Sequence, residues 1–529
     1  MKVVFAAIGS EQLAISLLSG IAKRKGHEVG LVFTPSLFHD RSNLEIPSIA
    51  NFFDETDELI ASITAEKPDV LAFSVLTATY QWALEVARKA KTQNPGIKTI
   101  FGGVHVSAVP DRAIGKDEVD FVVIGEGEIA FPEILDAVEQ HNLTKPIANT
   151  WYKSPAGEII KGMQKSFNQN LDELPAFDKT IWEEHIRVED KYMTMASRGC
   201  PYRCSFCFNN FFAKLPEEKG GKYVRQRSVQ HMMDELLWAK KRYPNIRLVD
   251  FQDDVFTVDK KWLKEFLARY KEEINIPFQC LTHPKYMDEE MAQWLSEAGC
   301  RWIQMGVQTM DENFKKQTLQ RFERSDQIVE ACRVMEKHGI KARLDHMFGL
   351  PDEPLSAQEK ALNLYTEYTP MRIQTFWTCY LPGTDMLKEG LAKGLITEAE
   401  AENLYEGIGF YFYRTGSIKN PEMVKVYKQY EFIFKILPLL PYRIRKAIKP
   451  QHISWIPAFI TAPLAFTSDV VTGFMFGNPD FACYAKHYFF HLYKFSKKKL
   501  SGLIKFPVRP PNEPPFSEII IATANPQTK

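Results

Sequence analysis

The chain contains 529 residues, of which 45% are hydrophobic and 25% charged, and its 66 Lys and Arg balance 66 Asp and Glu. Such a length buries roughly two or three cores, and the balanced charge leaves no global field to mark a nucleic-acid or polyanion binder. Eight cysteines are too sparse for a disulfide scaffold, and three of them crowd into eight residues, which points to a metal site in a reducing cytoplasm.

The opening segment MKVVFAAIGSEQLAIS has an apolar run too short for a leader peptide and reads as the first buried strand. Strand-like runs then alternate with helical stretches: KVVFAAI, a helix from about Gln12, HEVGLVF, a helix over 55–66, DVLAFSV, a helix over 80–92, KTIFGG and VDFVVIG. That rhythm predicts an α/β unit over residues 1–145, a doubly wound Rossmann-like sheet whose ligands sit beyond the carboxyl ends of its strands. Residues 146–190 lose the rhythm, contain Pro155, Gly157 and Pro175, and read as a linker or small hairpin. From Tyr192 the alternation returns as YMTMAS, RLVDFQ, FQCLT, RWIQMGV, KARLDHMF and RIQTFWTCY, separated by helical stretches. Six such strands predict a partial (β/α)6 barrel over 191–390, with chemistry on the loops after the strands. Residues 391–529 read as a mainly helical, aromatic-rich C-terminal region.

The chemistry concentrates in SRGCPYRCSFCFNN, where Cys200, Cys204 and Cys207 share one loop after the first barrel strand. Three thiolates bind three irons of a [4Fe–4S] cubane and leave the fourth iron open. A zinc ribbon would need a fourth ligand at matched spacing, and no second close cysteine pair exists. The loop resembles that of the radical S-adenosylmethionine (SAM) superfamily, including the aromatic Phe206 before the third cysteine. The resemblance spans roughly residues 190–390 and implies SAM bound at the open iron and cleaved to a 5′-deoxyadenosyl radical.

It also assigns further positions. Asp253 and Asp254, in FQDD after the second barrel strand, stand where the family contacts the SAM amino group; as plain residues they would cap a helix or fill a turn. Gln308, ending the fourth strand, matches the family's contact to the SAM ribose or carboxylate, or else makes a strand-end hydrogen bond. Gly349, in HMFGLPDE, matches the adenine-binding stretch, and Gly383 lies in the PGT turn of the cobalamin-linked branch.

A doubly wound unit before such a barrel resembles the cobalamin-binding domain of B12-dependent members. Ser74-Val75-Leu76 matches its Ser-x-Leu element and Gly102-Gly103 its paired glycines, where small residues let a corrin approach the strand ends. The histidine-bearing signature after the first strand is replaced by Ile8-Gly9-Ser10-Glu11-Gln12. His105 is the candidate substitute ligand to cobalt; the alternative is a hydrogen-bonded loop histidine. Gly125 and Glu126 open a GEGE element suited to a tight turn or a ligand pocket.

Residues 405–495 are dense in aromatics, among them Phe410 to Tyr413, Trp455, Phe474, Phe476 and Phe489. Between Pro441 and Lys505 ten Lys or Arg face two Asp, a composition that suits peripheral contact with an anionic membrane or an ordinary helical cap. Asp469, three threonines and two prolines argue against a spanning helix over 453–475. Cys280, Cys300, Cys332, Cys379 and Cys483 read as inert thiols, although Cys379 ends the sixth barrel strand near the expected substrate.

The resemblance implies methyl transfer to an unactivated carbon, with a low-potential electron donor such as a flavodoxin or ferredoxin; the aromatic, basic C-terminal region tilts the substrate toward a hydrophobic, lipid- or isoprenoid-like small molecule, the cysteine usage points to the cytoplasm, and the balanced charge points away from a nucleic-acid partner. The alternatives are a cobalamin-linked cyclase or oxidoreductase, as in the anaerobic Mg-protoporphyrin ester cyclase branch, and a non-catalytic cobalamin- or redox-sensing protein.

Overall fold

A computed structural model describes residues 1–501 except 41–43, 46, 217–219, 409–415, 458–460, 462–467, 469, 474, 476 and 478. The aromatic run Phe410 to Tyr413, with Phe474 and Phe476, therefore lies outside the described residues, as does Asp469.

The first sheet is formed by β1 (Lys2–Ile8), β2 (Glu28–Thr34), β3 (Val70–Ser74), β4 (Lys98–Gly102), β5 (Phe121–Val123), β6 (Thr150–Lys153) and β7 (Ile159–Lys161). Its order is β2-β1-β3-β4-β5-β6-β7, parallel through β5 and antiparallel thereafter. The hairpin anticipated near Pro155 and Gly157 is thus an edge extension of this sheet. The central strands are apolar on both sides because helices cover both faces. Val4 and Ala6 of β1 pack with α2 (Thr56–Glu66) and α3 (Tyr80–Gln93). Val3, Phe5 and Ala7 pack with α1 (Leu13–Arg24) and α4 (Gly127–Glu139).

The second sheet takes β8 (Tyr192–Thr194), β9 (Val249–Phe251), β10 (Phe278–Thr282), β11 (Cys300–Gln308), β12 (Lys341–Phe348) and β13 (Arg372–Trp377) in sequence order, all parallel. Alternation along these strands divides two environments. Val249, Phe251, Phe278, Cys280, Ile303, Met305 and Leu344 join the apolar layer under the helices. The intervening Asp250, Gln279, Gln304, Arg343 and Asp345 form a polar layer, in which Gln304 donates to both Asp345 oxygens at 3.0 and 2.9 Å and accepts from Arg343 at 3.2 Å.

Two of the C-terminal helices hold the barrel. In α5 (Pro421–Ile436), Glu431 accepts hydrogen bonds from Thr375 and Trp377 of β13 at 3.0 and 3.1 Å. The first turn of α6 (Pro479–Ser501) supplies Asp480, which pairs with Arg343, with Lys191 at 3.2 Å and with Gln279 at 3.1 Å. Further along α6, His487 and His491 pack on Phe33 of β2. No helix among the described residues is long and apolar enough to cross a membrane.

Candidate functional site

The cysteine loop leaves β8 through Ser197-Arg198, which pair antiparallel with Arg225-Gln226. Gly199 follows with φ +83°, and a Cβ there would lie 2.4 Å from the Tyr223 carbonyl oxygen, so only glycine lets the chain turn into Cys200. The middle of the loop is pinned from below: Ser205 donates its N–H to Leu319 O at 3.1 Å and its hydroxyl to Thr318 O at 2.6 Å. Phe206 packs against the cluster containing Leu319, Leu350 and Tyr380. At the far end Asn209 approaches the Cys207 sulfur at 3.8 Å and donates to Asp254 at 2.8 Å, while Tyr223 donates to Asn209 at 2.5 Å.

None of the three thiols is in a disulfide. Burial pushes Cys200 up to about 12 and Cys204 up to about 11, and raises Cys207; the charges of Cys204 and Cys207 add to the effect on Cys200. Neighbouring thiols in this setting stay protonated until a metal replaces the proton. Among the described residues no three His, Cys, Asp or Glu converge on a single ion. A cubane makes no such demand, because its three thiolates bind three different irons. The donor set therefore suits a cluster rather than a mononuclear metal.

The two aspartates after β9 part company. Asp253 is buried and accepts from the Ala196 N–H at 3.0 Å and from the Ser197 N–H and hydroxyl at 2.5 Å each. Burial raises its carboxyl to about 6, against the pull of these donors. Asp253 thus braces the start of the cysteine loop. Asp254 is exposed, accepts from Asn209, and bears on the acidity of Cys200 and Cys207, so it is the carboxylate open to a ligand beside the loop.

Gln308 is half-buried at the end of β11 with φ +63°, just past a register shift in the pairing with β12. A left-handed non-glycine residue costs about 1–3 kcal/mol. Gly349 is left-handed as well, and its carbonyl accepts from the Ser417 N–H at 2.7 Å.

A buried charge cluster underlies Cys204. Arg321 donates to Glu323 at 2.8 Å and to Gly306 O at 2.9 Å, and Glu323 also contacts His283 at 3.3 Å and Lys315 at 3.4 Å. Burial pushes Glu323 up, but His283, Arg321 and Lys315 outweigh it and hold the carboxyl at about 2. Arg321 also lowers Cys204 against its burial, so its charge reaches the sulfur. Spacing of the cysteines gives no hint of these residues, which lie more than 75 positions downstream.

At the carboxyl edge of the first sheet, Ser74 is half-buried and Leu76 is 51% exposed. Gly103 has φ +100° and would place a Cβ 2.6 Å from the Val75 nitrogen, whereas a Cβ on Gly102 meets nothing closer than 3.8 Å. His105 is fully buried; its Nδ1 lies 3.2 Å from the Thr77 hydroxyl, its ring tilts on Tyr80 at 4.4 Å, and burial lowers it to about 4. It is a packed, neutral imidazole. In the loop after β1, Glu11 makes a buried ion pair with Lys179.

Gly125 has φ +81° and donates its N–H to the Ser107 hydroxyl at 3.0 Å. Glu126 takes the Arg225 guanidinium in a two-point grip at 2.7 and 2.8 Å, with Arg198 3.3 Å away; Arg198 also pairs closely with Glu128. Removing one partner from a buried pair of this kind costs about 3–5 kcal/mol. The sequence suggested a turn or ligand role for Glu126, but not these two arginines.

Residues 2–135 match the family model of the B12 binding domain and residues 195–365 that of the radical SAM superfamily. An uncharacterised methyltransferase of Pyrococcus horikoshii is 26% identical over 72% of this chain and 82% of its own length. Hopanoid C-3 methylase of Methylococcus capsulatus is 26% identical over 57% of this chain and 54% of its own. Among solved structures, the cobalamin-dependent SAM radical enzyme OxsB aligns with a TM-score of 0.62 at 14% identity, covering 96% of this chain and 81% of that one.

Proposed function

Because this chain belongs to the radical SAM superfamily and carries a B12-binding domain ahead of its barrel, we propose that it methylates an unactivated carbon of a hydrophobic, lipid-like or isoprenoid-like small molecule. Its cofactors are SAM, a [4Fe–4S] cluster and cobalamin. One observation carries the reading: the GEGE loop at the carboxyl edge of the first sheet touches Arg198 and Arg225, which flank the cysteine loop at the carboxyl edge of the second. The two carboxyl edges therefore face each other across these ion pairs.

When bound, the cofactors supply one-electron cleavage of SAM and a methyl group carried on cobalt. The chain's own residues hold and orient. Cys200, Cys204 and Cys207 ligate the cluster; Asp254 offers a carboxylate to the SAM ammonium; Gln308, Phe206 and the Gly349 turn line the rest of that pocket. Ser74, Leu76, Gly102 and Gly103 bed the corrin. Asp480 closes the floor of the barrel against Lys191 and Arg343, so substrate enters from the upper edge. A cytoplasmic flavodoxin or ferredoxin delivers the electron.

The reading is tested by anaerobic reconstitution with iron, sulfide and hydroxocobalamin, then mass spectrometry after adding SAM and a low-potential reductant. Formation of both 5′-deoxyadenosine and S-adenosylhomocysteine supports methyl transfer. Deoxyadenosine alone, with cobalamin bound, transfers support to the cyclase or oxidoreductase alternative.

The hydrophobic substrate has its own support. From Phe432 to Ser468 there is no Asp or Glu against five Lys or Arg, and Tyr442, Ile444 and Trp455 are 54%, 52% and 74% exposed. Exposed aromatics beside a basic stretch, in which Lys446 pairs with Glu367 and Lys435 with Glu431, suit an anionic bilayer surface, where such a substrate would reside. The chain is expected to float with phosphatidylglycerol vesicles and not with phosphatidylcholine ones. Paired Ile444→Ser and Trp455→Ser substitutions should weaken that partitioning at least about tenfold, given the apolar area removed; equal flotation of variant and parent would remove the membrane contact.

A further inference from the structure

The ion pairs between the two sheets join the two carboxyl edges through four side chains. On the first sheet, Glu126 ends the loop after β5 and caps α4, and Glu128 stands in the first turn of that helix. On the barrel side, Arg198 lies two residues before Cys200, directly opposite Arg225 in the short antiparallel pair. Arg225 is fixed at every nitrogen: Nε donates to Tyr223 O at 3.1 Å, one terminal nitrogen donates to Asn168 O at 3.0 Å, and both grip Glu126, with Phe167 under the guanidinium at 4.9 Å. The strand bearing Arg225 also leads back through the Tyr223 hydroxyl to Asn209 and the Cys207 sulfur.

Two adjacent guanidiniums repel, and the carboxylates of Glu126 and Glu128 offset that repulsion when the two units are docked. The Arg225 and Arg198 charges hold Glu126 below the ordinary carboxylate range despite its burial, while burial raises Glu128. The ionised, forked contact to Glu126 is directional as well as strong. A force transmitted through Arg198 reaches one end of the cysteine loop, and one through Arg225 and Tyr223 reaches the other.

We propose that Arg198, Arg225, Glu126 and Glu128 form a latch that sets the spacing between the corrin and the iron–sulfur cluster, and so act as positioning residues for the transfer between them. The proposal rests on the two-cofactor reading above, yet its test does not need the substrate. Enzyme loaded with cluster and cobalamin is reduced to the paramagnetic state of both, and pulsed EPR reads the dipolar coupling between the two spins. The parent protein should give one narrow separation. Arg225→Gln should keep both cofactors but lengthen or broaden the separation by about 1 Å or more, the scale of misplacement that costs ~100-fold in rate. Arg225→Lys, which keeps the charge and loses the fork, should fall between.

If Arg225→Gln fails to load, the charge-swapped pair Glu126→Arg with Arg225→Glu decides. Restored loading with the parent separation supports the latch, and failure to restore it overturns the proposal. An unchanged narrow separation in Arg225→Gln overturns it equally. Absence of S-adenosylhomocysteine from a parent enzyme with the narrow separation would sink the methylation reading alone and leave the latch standing.

Discussion

Replacing Cys204 by alanine is expected to abolish formation of 5′-deoxyadenosine and to strip the reconstituted protein of its cluster, read as lost iron and sulfide content and lost visible absorption. The argument is one of ligand count. With two thiolates left, a second iron of the cubane lacks a protein ligand, and Arg321 stands beneath a sulfur that is no longer there. The loss should exceed the ~10–100-fold that follows removal of an outer partner of a metal ligand. Cobalamin binding should survive, since Cys204 is anchored from the barrel through Ser205 and Leu319 and not from the first sheet. A variant that retains four irons and deoxyadenosine formation would remove the cluster assignment from this loop.

The second large effect is expected at the paired glycines, where neighbouring positions should behave in opposite ways. Gly103→Ala forces a Cβ to 2.6 and 2.7 Å from the Val75 nitrogen and oxygen at a φ that alanine rarely adopts. Both obstacles are backbone of the adjacent loop, which also receives the His105 N–H on Val75 O and gives its own N–H to Gly102 O. Strain and overpacking together should cost roughly 2–5 kcal/mol in a denaturant titration. Gly102→Ala meets nothing within 3.8 Å and should change stability by no more than ~0.5 kcal/mol. If the corrin lies on this edge, the Gly102 methyl group enters its space, and spectrophotometric titration should show weakened cobalamin binding by a stable protein. Equal cobalamin binding by Gly102→Ala and parent would move the corrin away from this turn.

The sequence carried the local part of this architecture well. Alternating apolar runs and helical stretches correspond to both parallel sheets, because strand and helix periods are written in neighbouring residues. The cysteine loop was legible for the same reason: its three thiols lie within eight positions. The division of labour between Asp253 and Asp254 was not legible, since two adjacent carboxylates look alike until Ala196 and Ser197 are folded against one of them. Nor could pattern reveal the left-handed Gln308, which depends on a register shift against β12. Glu126 and Arg225 are 99 positions apart, and no period links them. For His105 the sequence offered both a cobalt ligand and a hydrogen-bonded loop residue, and the neighbours that bear on that choice, Tyr80 and Thr77, are brought to it only by folding.

Asp480 has a consequence for how the molecule is made. Lys191 and Asp480 are separated by 289 positions, and the helix that carries the aspartate is the last described element to leave the ribosome. Until it emerges, Arg343 and Lys191 sit at the base of an assembled barrel with no counter-ion from that helix. A nascent chain halted before Pro479 is therefore expected to hold its barrel as a loosened intermediate that completes only once that helix has emerged, with the slow, long-range closure that distant contacts impose.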